Sequence, residues 1–311
     1  MAMKKEFKTL DQQIEILKDK GLIINNIEKT KDVLLRENYF FINGYRYIFY
    51  ISPKEKKFIK GTTFEELYAL FLFDRCLRNI MFKNLLIVEN NVKSIFSHQL
   101  SKRYGVKEKE YLNPKNFTSD YKKHRQVSDV INKMKRQIRV NGKQHSATLH
   151  YVTNYGYVPL WILVKVLSFG IISELFSILR PEDRNEIAIY YNIDEENLEI
   201  YLSVLSNYRN LCAHEDIVYD HQTQRNILDN KYHRMLNIPM MDNEYIYGKK
   251  DLFSVILILK YMLTDQEFRL MCYEIDYEIS ILDGKVDTVS LEKIMDRIGF
   301  PKNWKDVVEM K

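Results

Sequence analysis

One stretch of this sequence reads only as a long helix. Thr63-Phe64-Glu65-Glu66 is a capping box, a hydroxyl and a carboxylate spaced to satisfy each other's backbone donors at a helix start. Leu67, Leu70, Phe71, Asp74, Leu77, Arg78, Met81, Leu85, Val88, Val92 and Ile95 follow at helical spacing. They predict a helix running to about Ser101, with a kink near Phe82. Only ten glycines and six prolines interrupt the 311 residues, so a mostly helical, all-α protein is expected, with at most a short extended segment at Tyr47 to Ile51. Asp74, Arg75, Arg78 and Glu89 lie on or beside the long stripe. They read as ion pairs, or Arg75 and Arg78 read as the lining of an RNA groove.

The remaining elements are shorter. Helices are predicted over Leu10 to Lys20 and Ile27 to Glu37, with the aromatic-rich Asn38 to Tyr45 after them. Gly105 to Phe117 reads as a loop. Pro159 sits at the first position of a helix that carries the Ser168-Phe169-Gly170 break and ends near Leu179. Pro181 starts a helix ending near Tyr191. A long loop runs through Pro239. Asp251 to Leu263, Thr264 to Leu282 and Ser290 to Arg297 close the chain as helices, the second opened by another capping box. The working division is 1–120 as an N-terminal helical region, 121–150 as a basic helix and loop, 151–240 as the central helices, and 241–311 as C-terminal helices; these can form one continuous domain.

The net charge of +5 permits a polyanionic partner without requiring one, so its placement matters more. The densest positive charge is at Lys122, Lys123 and Arg125, then Lys133, Lys135, Arg136 and Arg139. Basic side chains at helical spacing suit either a solvated helix face or a track for a phosphate backbone. Cys76, Cys212 and Cys272 are far apart and show no metal-ligand spacing, so no metal, cofactor or disulfide is expected. His145 and His150 read as surface loop residues. The N-terminus lacks the apolar run of a signal peptide, and the apolar stretches Leu160 to Leu179 and Leu252 to Leu263 are interrupted or too short for a membrane. A cytoplasmic protein is expected.

The chemistry concentrates at Arg209-Asn210-Leu211-Cys212-Ala213-His214, which closes an amphipathic run capped by Asp194-Glu195-Glu196. A guanidinium holds phosphate through a planar fork of donors, and an imidazole exchanges protons near neutrality. The pair can cleave a phosphodiester. On a regular helix, five steps turn through about 500° and leave the two side chains roughly 140° apart. The helix must therefore end or distort near His214, or a second helix must complete the site. The plain alternative is a helix end, with Arg209 in an ion pair. Cys212 reads as packing, Glu215 and Asp216 as solvated or as tuning His214, and His221 as a loop residue or a support for the site.

Several segments together resemble the Abi-like family of bacterial abortive-infection proteins, the AbiD and AbiF group. They are Glu37 to Tyr45, Phe73 to Arg78, Ile87-Val88-Glu89, Val158 to Trp161, Leu167 to Gly170 and Arg209 to His214, in order over roughly residues 20 to 235. That family is similar to the HEPN ribonucleases, helical bundles that commonly dimerise and share an Arg-x4-His motif. The resemblance implies a HEPN-like bundle across 151–240 and catalytic roles for Arg209, His214 and Asn210. It implies metal-independent RNA cleavage to a 2′,3′-cyclic phosphate, in a phage-defence toxin restrained by a noncoding RNA or protein partner. A homodimer would bring Arg209 of one copy near His214 of the other. The alternative is a non-catalytic RNA-binding protein of a defence system.

Overall fold

The computed structural model describes residues 6–310; the first five residues of the N-terminal stretch read for a leader, and Lys311, lie outside the described residues. The fold is all-α, 68% helical, with 15 α-helices among the described residues and a two-strand sheet. Helix α1 spans Leu10–Asp19, α2 Ile27–Glu37 and α3 Tyr39–Asn43. Helix α4 then runs unbroken over Phe64–Tyr104, 41 residues or about 60 Å, without a helix break at Phe82. Its start is the capping box read from the sequence: Thr63 accepts from the Glu66 N–H, and Glu66 accepts from the Thr63 N–H.

Helices α5 (Glu108–Tyr111), α6 (His124–Asn141), α7 (Ser146–Tyr155) and α8 (Leu160–Leu163) lead to α9 (Phe169–Ile178) and α10 (Pro181–Ala188). Helix α11 covers Glu195–Ala213, and α12 covers Lys231–Met235. Strands β1 (Met240–Met241) and β2 (Glu244–Tyr245) form a small hairpin turned by Asp242 and Asn243. Helices α13 (Leu252–Met262), α14 (Asp265–Asp283) and α15 (Leu291–Ile298) complete the fold. Helix α4 is the spine, with α14, α11, α8 and α10 packed along it. Helix α13 is buried at every position from Leu252 to Leu259, as a helix apolar all round must be.

Several boundaries differ from the sequence expectation. Gly44–Phe49 is a 3₁₀ helix, not an extended segment; Tyr45 and Ile48, three apart, are both buried, which suits its three-residue period. Tyr50 alone forms an isolated bridge, to Phe58. His145 and His150 are not in a loop: the His145 side chain accepts from the Thr148 N–H and caps α7, which carries His150. Ser168 rather than Gly170 makes the break after α8, because its hydroxyl accepts from the Ile171 N–H and starts α9 afresh. The loop before Pro239 contains α12.

A second buried carboxylate braces the C-terminal helices. Asp251 caps α13, accepting from the N–H groups of Ser254 at 3.0 Å and Gly248 at 2.9 Å. Gly299, at φ +89, closes over it; a Cβ there would lie 2.3 Å from the Asp251 Cγ. Burial pushes this carboxyl up to about 7, from an ordinary value of 3.8. The folded state therefore binds a proton that the unfolded chain has lost. Stability falls as pH rises from about 4 to about 7, by up to about 1.4 kcal/mol per pH unit. In thermal melts, the stability of wild type minus that of Asp251→Asn should fall from pH 5 to pH 7. A difference that is constant or rises over that range would contradict this account.

Candidate nucleic-acid site

Helix α11 begins at Asp194, whose carboxylate accepts from the Asn197 N–H at 2.8 Å. Leu198, Tyr201, Leu202, Leu205, Tyr208 and Cys212 are buried, packing α11 against the core beside α9 and α4. That packing leaves Asn207, Asn210 and His214 exposed. At i, i+3 and i+7 they form one polar stripe. Cys212 is packing, as read: burial pushes its thiol up to about 12.

The helix ends at the histidine. His214 is the C-cap, at φ −98 and ψ 6, and donates its N–H to the Asn210 carbonyl at 3.0 Å. Glu215 follows at φ +58, and the Asp216 N–H reaches back to the Leu211 carbonyl at 3.0 Å. This is the Schellman closure of a helix, with glutamate in the left-handed position that glycine usually takes. The imidazole thus sits at the last helical position, in solvent, and the chain turns away immediately after it.

Arg209 turns elsewhere. Its Nε donates to Glu89 Oε2 of α4 at 3.1 Å, and the guanidinium lies 5.7 Å from the Phe82 ring centre. Glu89 is buried and also accepts from Lys93 at 2.6 Å. Among the described residues the Nη groups of Arg209 make no hydrogen bond, so the fork of donors is free while the stem is held. Within one chain the structure does not join Arg209 and His214. It places Asn210 and His214 together on the exposed stripe and Arg209 against α4.

The segment after His214 is anchored by Asp74, a fully buried carboxylate of α4. Asp74 accepts from the Tyr45 hydroxyl at 2.6 Å, from Arg78, and from the N–H groups of Val218 at 3.3 Å and Tyr219 at 2.7 Å. Burial drives its carboxyl up, and Arg78, Tyr45 and the two N–H groups oppose that. Tyr45 also stacks on Tyr219, with ring centres 5.5 Å apart. Asp74 and Arg78 are therefore an ion pair, and Arg75 pairs with Glu37 at 3.0 Å, the plainer of the two readings for these residues.

The basic residues lie on α6 and the turn before it. Val127, Val130, Ile131 and Met134 face the core, and α6 rests on α9. Lys123 donates to the Ser177 carbonyl at 2.7 Å, and Lys133 pairs with Glu174 at 2.6 Å. Lys122, Arg125, Lys135, Arg136 and Arg139 are exposed and have no ion pair among the described residues. Two adjoining depressions, of about 410 and 430 Å3, share Ser203 and Arg225 and link Lys123 to Asn207 on α11. His221 lines the second; its Nε2 meets Asn207 Oδ1 at 2.9 Å, and burial lowers the pKa of the ring.

The family model described as Abi-like protein matches residues 32–220, more than half of the chain. The chain belongs to that family. The matched part of this Abi-like protein contains Tyr45, Asp74, Arg78, Glu89 and the whole Arg209 to His214 motif. The family points to abortive infection, a form of phage defence. No curated protein and no solved structure matches the chain. No helix of the described residues is long and apolar enough to cross a membrane.

Sequence reasoning missed three parts of this region. It named Glu89 without its partner Arg209, and Asp74 without the Val218 and Tyr219 amides. The pairing had no local signal, because 120 residues separate Arg209 from Glu89. It also missed the left-handed Glu215, which no residue type announces. Asp74→Ala would strand Arg78 and two backbone amides; a loss of about 3–5 kcal/mol is expected in denaturant unfolding. A loss below about 1 kcal/mol would show that Asp74 does not anchor the segment. Glu215→Gly should raise stability by about 1 kcal/mol, read as a higher Tm, because glycine accepts the left-handed backbone without strain.

Proposed function

We propose that this Abi-like protein is an endoribonuclease of phage defence that cleaves RNA without a metal through Arg209 and His214. The observation that carries the reading is the solvent-facing imidazole at the tip of α11, with Asn210 on the same face and a guanidinium held by its stem one turn back. His214 exchanges a proton with the reacting ribose 2′-hydroxyl or the departing 5′-oxygen. The 2′-oxygen attacks phosphorus, the bond to the 5′-oxygen breaks, and a 2′,3′-cyclic phosphate and a 5′-hydroxyl result. The Nη groups of Arg209 steady the charge on the phosphoryl oxygens, and Asn210 orients the strand. A positioned histidine contributes typically 10²–10⁴-fold.

Because Arg209 is held against Glu89 of α4 while His214 faces solvent, the complete site in this reading takes Arg209 of one copy and His214 of a second in a homodimer. The depressions from Lys123 to Asn207 and the exposed charges of α6 support an RNA path along α6 and α11. A toxic nuclease needs restraint, and a noncoding RNA or protein partner supplies it. The runner-up is an RNA-binding protein of a defence system without catalysis. The Arg209–Glu89 ion pair favours it, since it draws the cation toward α4.

End-labelled single-stranded RNA incubated in EDTA separates the two. Wild type should give cyclic-phosphate products, and His214→Ala should bind equally and cut at least about 100-fold more slowly. Cleavage abolished by EDTA, or undiminished in His214→Ala, would overturn the nuclease reading. Weaker binding by Arg209→Ala with no cyclic product under any condition would establish the runner-up.

A further inference from the structure

A cleft of about 640 Å3 opens beside the end of α11, within the usual range for small-ligand sites. Its walls come from α2 and α3, the 3₁₀ turn at Gly44–Phe49, α4, and Glu215 to Ile217 immediately after His214. The buried Tyr45–Asp74–Arg78 array forms one side and holds it rigid. Three aromatic rings line it while remaining open to solvent: Phe40 is 76% exposed, Phe41 52% and Tyr47 54%. Large aromatic rings left this wet make little contribution to the core.

The charges are sorted. Arg75 is neutralised by Glu37, and Arg78 by Asp74. Arg46 has no carboxylate partner among the described residues; its guanidinium donates to the Asn43 carbonyl and to the Tyr47 hydroxyl at 2.6 Å, and lies 4.2 Å from the Tyr47 ring centre. Glu215 and Asp216 also line the cleft, and neither carboxylate makes a hydrogen bond among the described residues. The left-handed backbone of Glu215 fixes where its carboxylate starts.

An aromatic face, a guanidinium with no carboxylate to balance its charge, and unpaired carboxylates within one cleft match one ligand chemistry well. Aromatic side chains stack unpaired bases, and each stacked base contributes substantially to binding. A carboxylate accepts from amino and imino donors on a base edge, and an arginine donates to phosphate or to purine oxygen and nitrogen acceptors. Guanine alone among the common bases pairs an imino and an amino donor side by side, the pattern that a carboxylate grips with both oxygens. We propose that this cleft binds one guanine nucleotide unit, with the base on Phe40 and Tyr47, its donor edge on Glu215 and its phosphate on Arg46. The unit comes either from a single RNA strand passing His214 or from a free nucleotide. The RNA source rests on the RNA-binding part of the proposed function and not on cleavage.

The test uses full-length His214→Ala protein, so that cutting does not intrude, and fluorescence anisotropy with short RNAs differing by one guanine-to-adenine change. GMP alone is titrated in parallel. Arg46→Ala, and Phe40→Ala combined with Tyr47→Ala, should each weaken binding by about tenfold, the scale of one stacked base. Glu215→Gln should erase the preference for guanine. Circular dichroism and Tm must match the parent for these variants to count; Arg46→Lys, which keeps the charge and loses the fork, serves if Arg46→Ala unfolds. Tight RNA binding with weak GMP binding identifies the strand as the source, and the reverse identifies a free nucleotide. Unchanged affinity in folded variants, equal affinity for guanine and adenine, or no binding of either probe overturns the proposal. Cleft variants that weaken binding in a protein that never cuts would leave this site standing and remove the nuclease reading instead.

Discussion

Asp74 is a carboxylate fully shielded from bulk solvent, so its oxygens must find donors inside the fold. They find the Tyr45 hydroxyl, Arg78, and the amides of Val218 and Tyr219. Three distant parts of the chain are thereby tied to one point: the 3₁₀ turn after α3, the N-terminal third of α4, and the stretch of chain leaving α11. The end of the motif helix cannot shift without leaving a buried acceptor or donor unmatched, which is costly in a low-dielectric interior. The placement of His214, and of the cleft beside it, follows from this constraint.

Glu89 makes the second tie, farther along α4. It takes the Arg209 Nε on one oxygen and Lys93 on the other. Arginine is suited to such a position because its fork can be held at one edge and still present donors at the other; lysine has only one charged end. The same tie sets the difficulty for catalysis. It points the guanidinium toward α4 while the imidazole stands off the helix tip. Either the phosphate bridges a distance set by two copies of the helix, or the cation serves only to bind. The geometry of one chain is compatible with both, and the proposed homodimer is the arrangement that would serve the first.

The long helices were legible because their signals are local. The capping boxes at Thr63 and Thr264, the acid at Asp194 and the apolar periodicity of α4 and α14 lie within a few residues of the ends they mark. The helix end at His214 matches the plain reading of the motif, a helix end with Arg209 in an ion pair. The all-α class followed from these local signals; the family followed from the resemblance of the separate segments between Glu37 and His214, and the family match over residues 32–220 bears it out. Elements decided by distant partners were not legible. The aromatic run after Gly44 has strand-like composition, yet Tyr45 coils inward to reach Asp74, 29 residues on. Ser168 outweighed Gly170 because a cap hydroxyl acts on the backbone directly, whereas glycine only permits a bend. The cleft combines α2, α3, α4 and the exit of α11, and nothing in any one of these segments announces the others.

Glu215 shows where fold and site pull apart. At φ +58 a residue with a Cβ is strained by about 1 kcal/mol, and helices that end this way usually place glycine there. The Schellman closure would form as well, and more stably, without the side chain. The strain lies next to a solvent-facing histidine and an arginine-lined cleft, and the proposed nucleotide contact would give the carboxylate a use that helix termination does not. Arg75 and Arg78 both feel its charge, although neither is its partner. Glu215 therefore adds negative potential at the mouth of a cleft whose only uncompensated cation is Arg46, among the described residues. A simple anion would be repelled from that side. A ligand with donors at one end and phosphate at the other would be accepted in one orientation, and the strained residue sets that orientation.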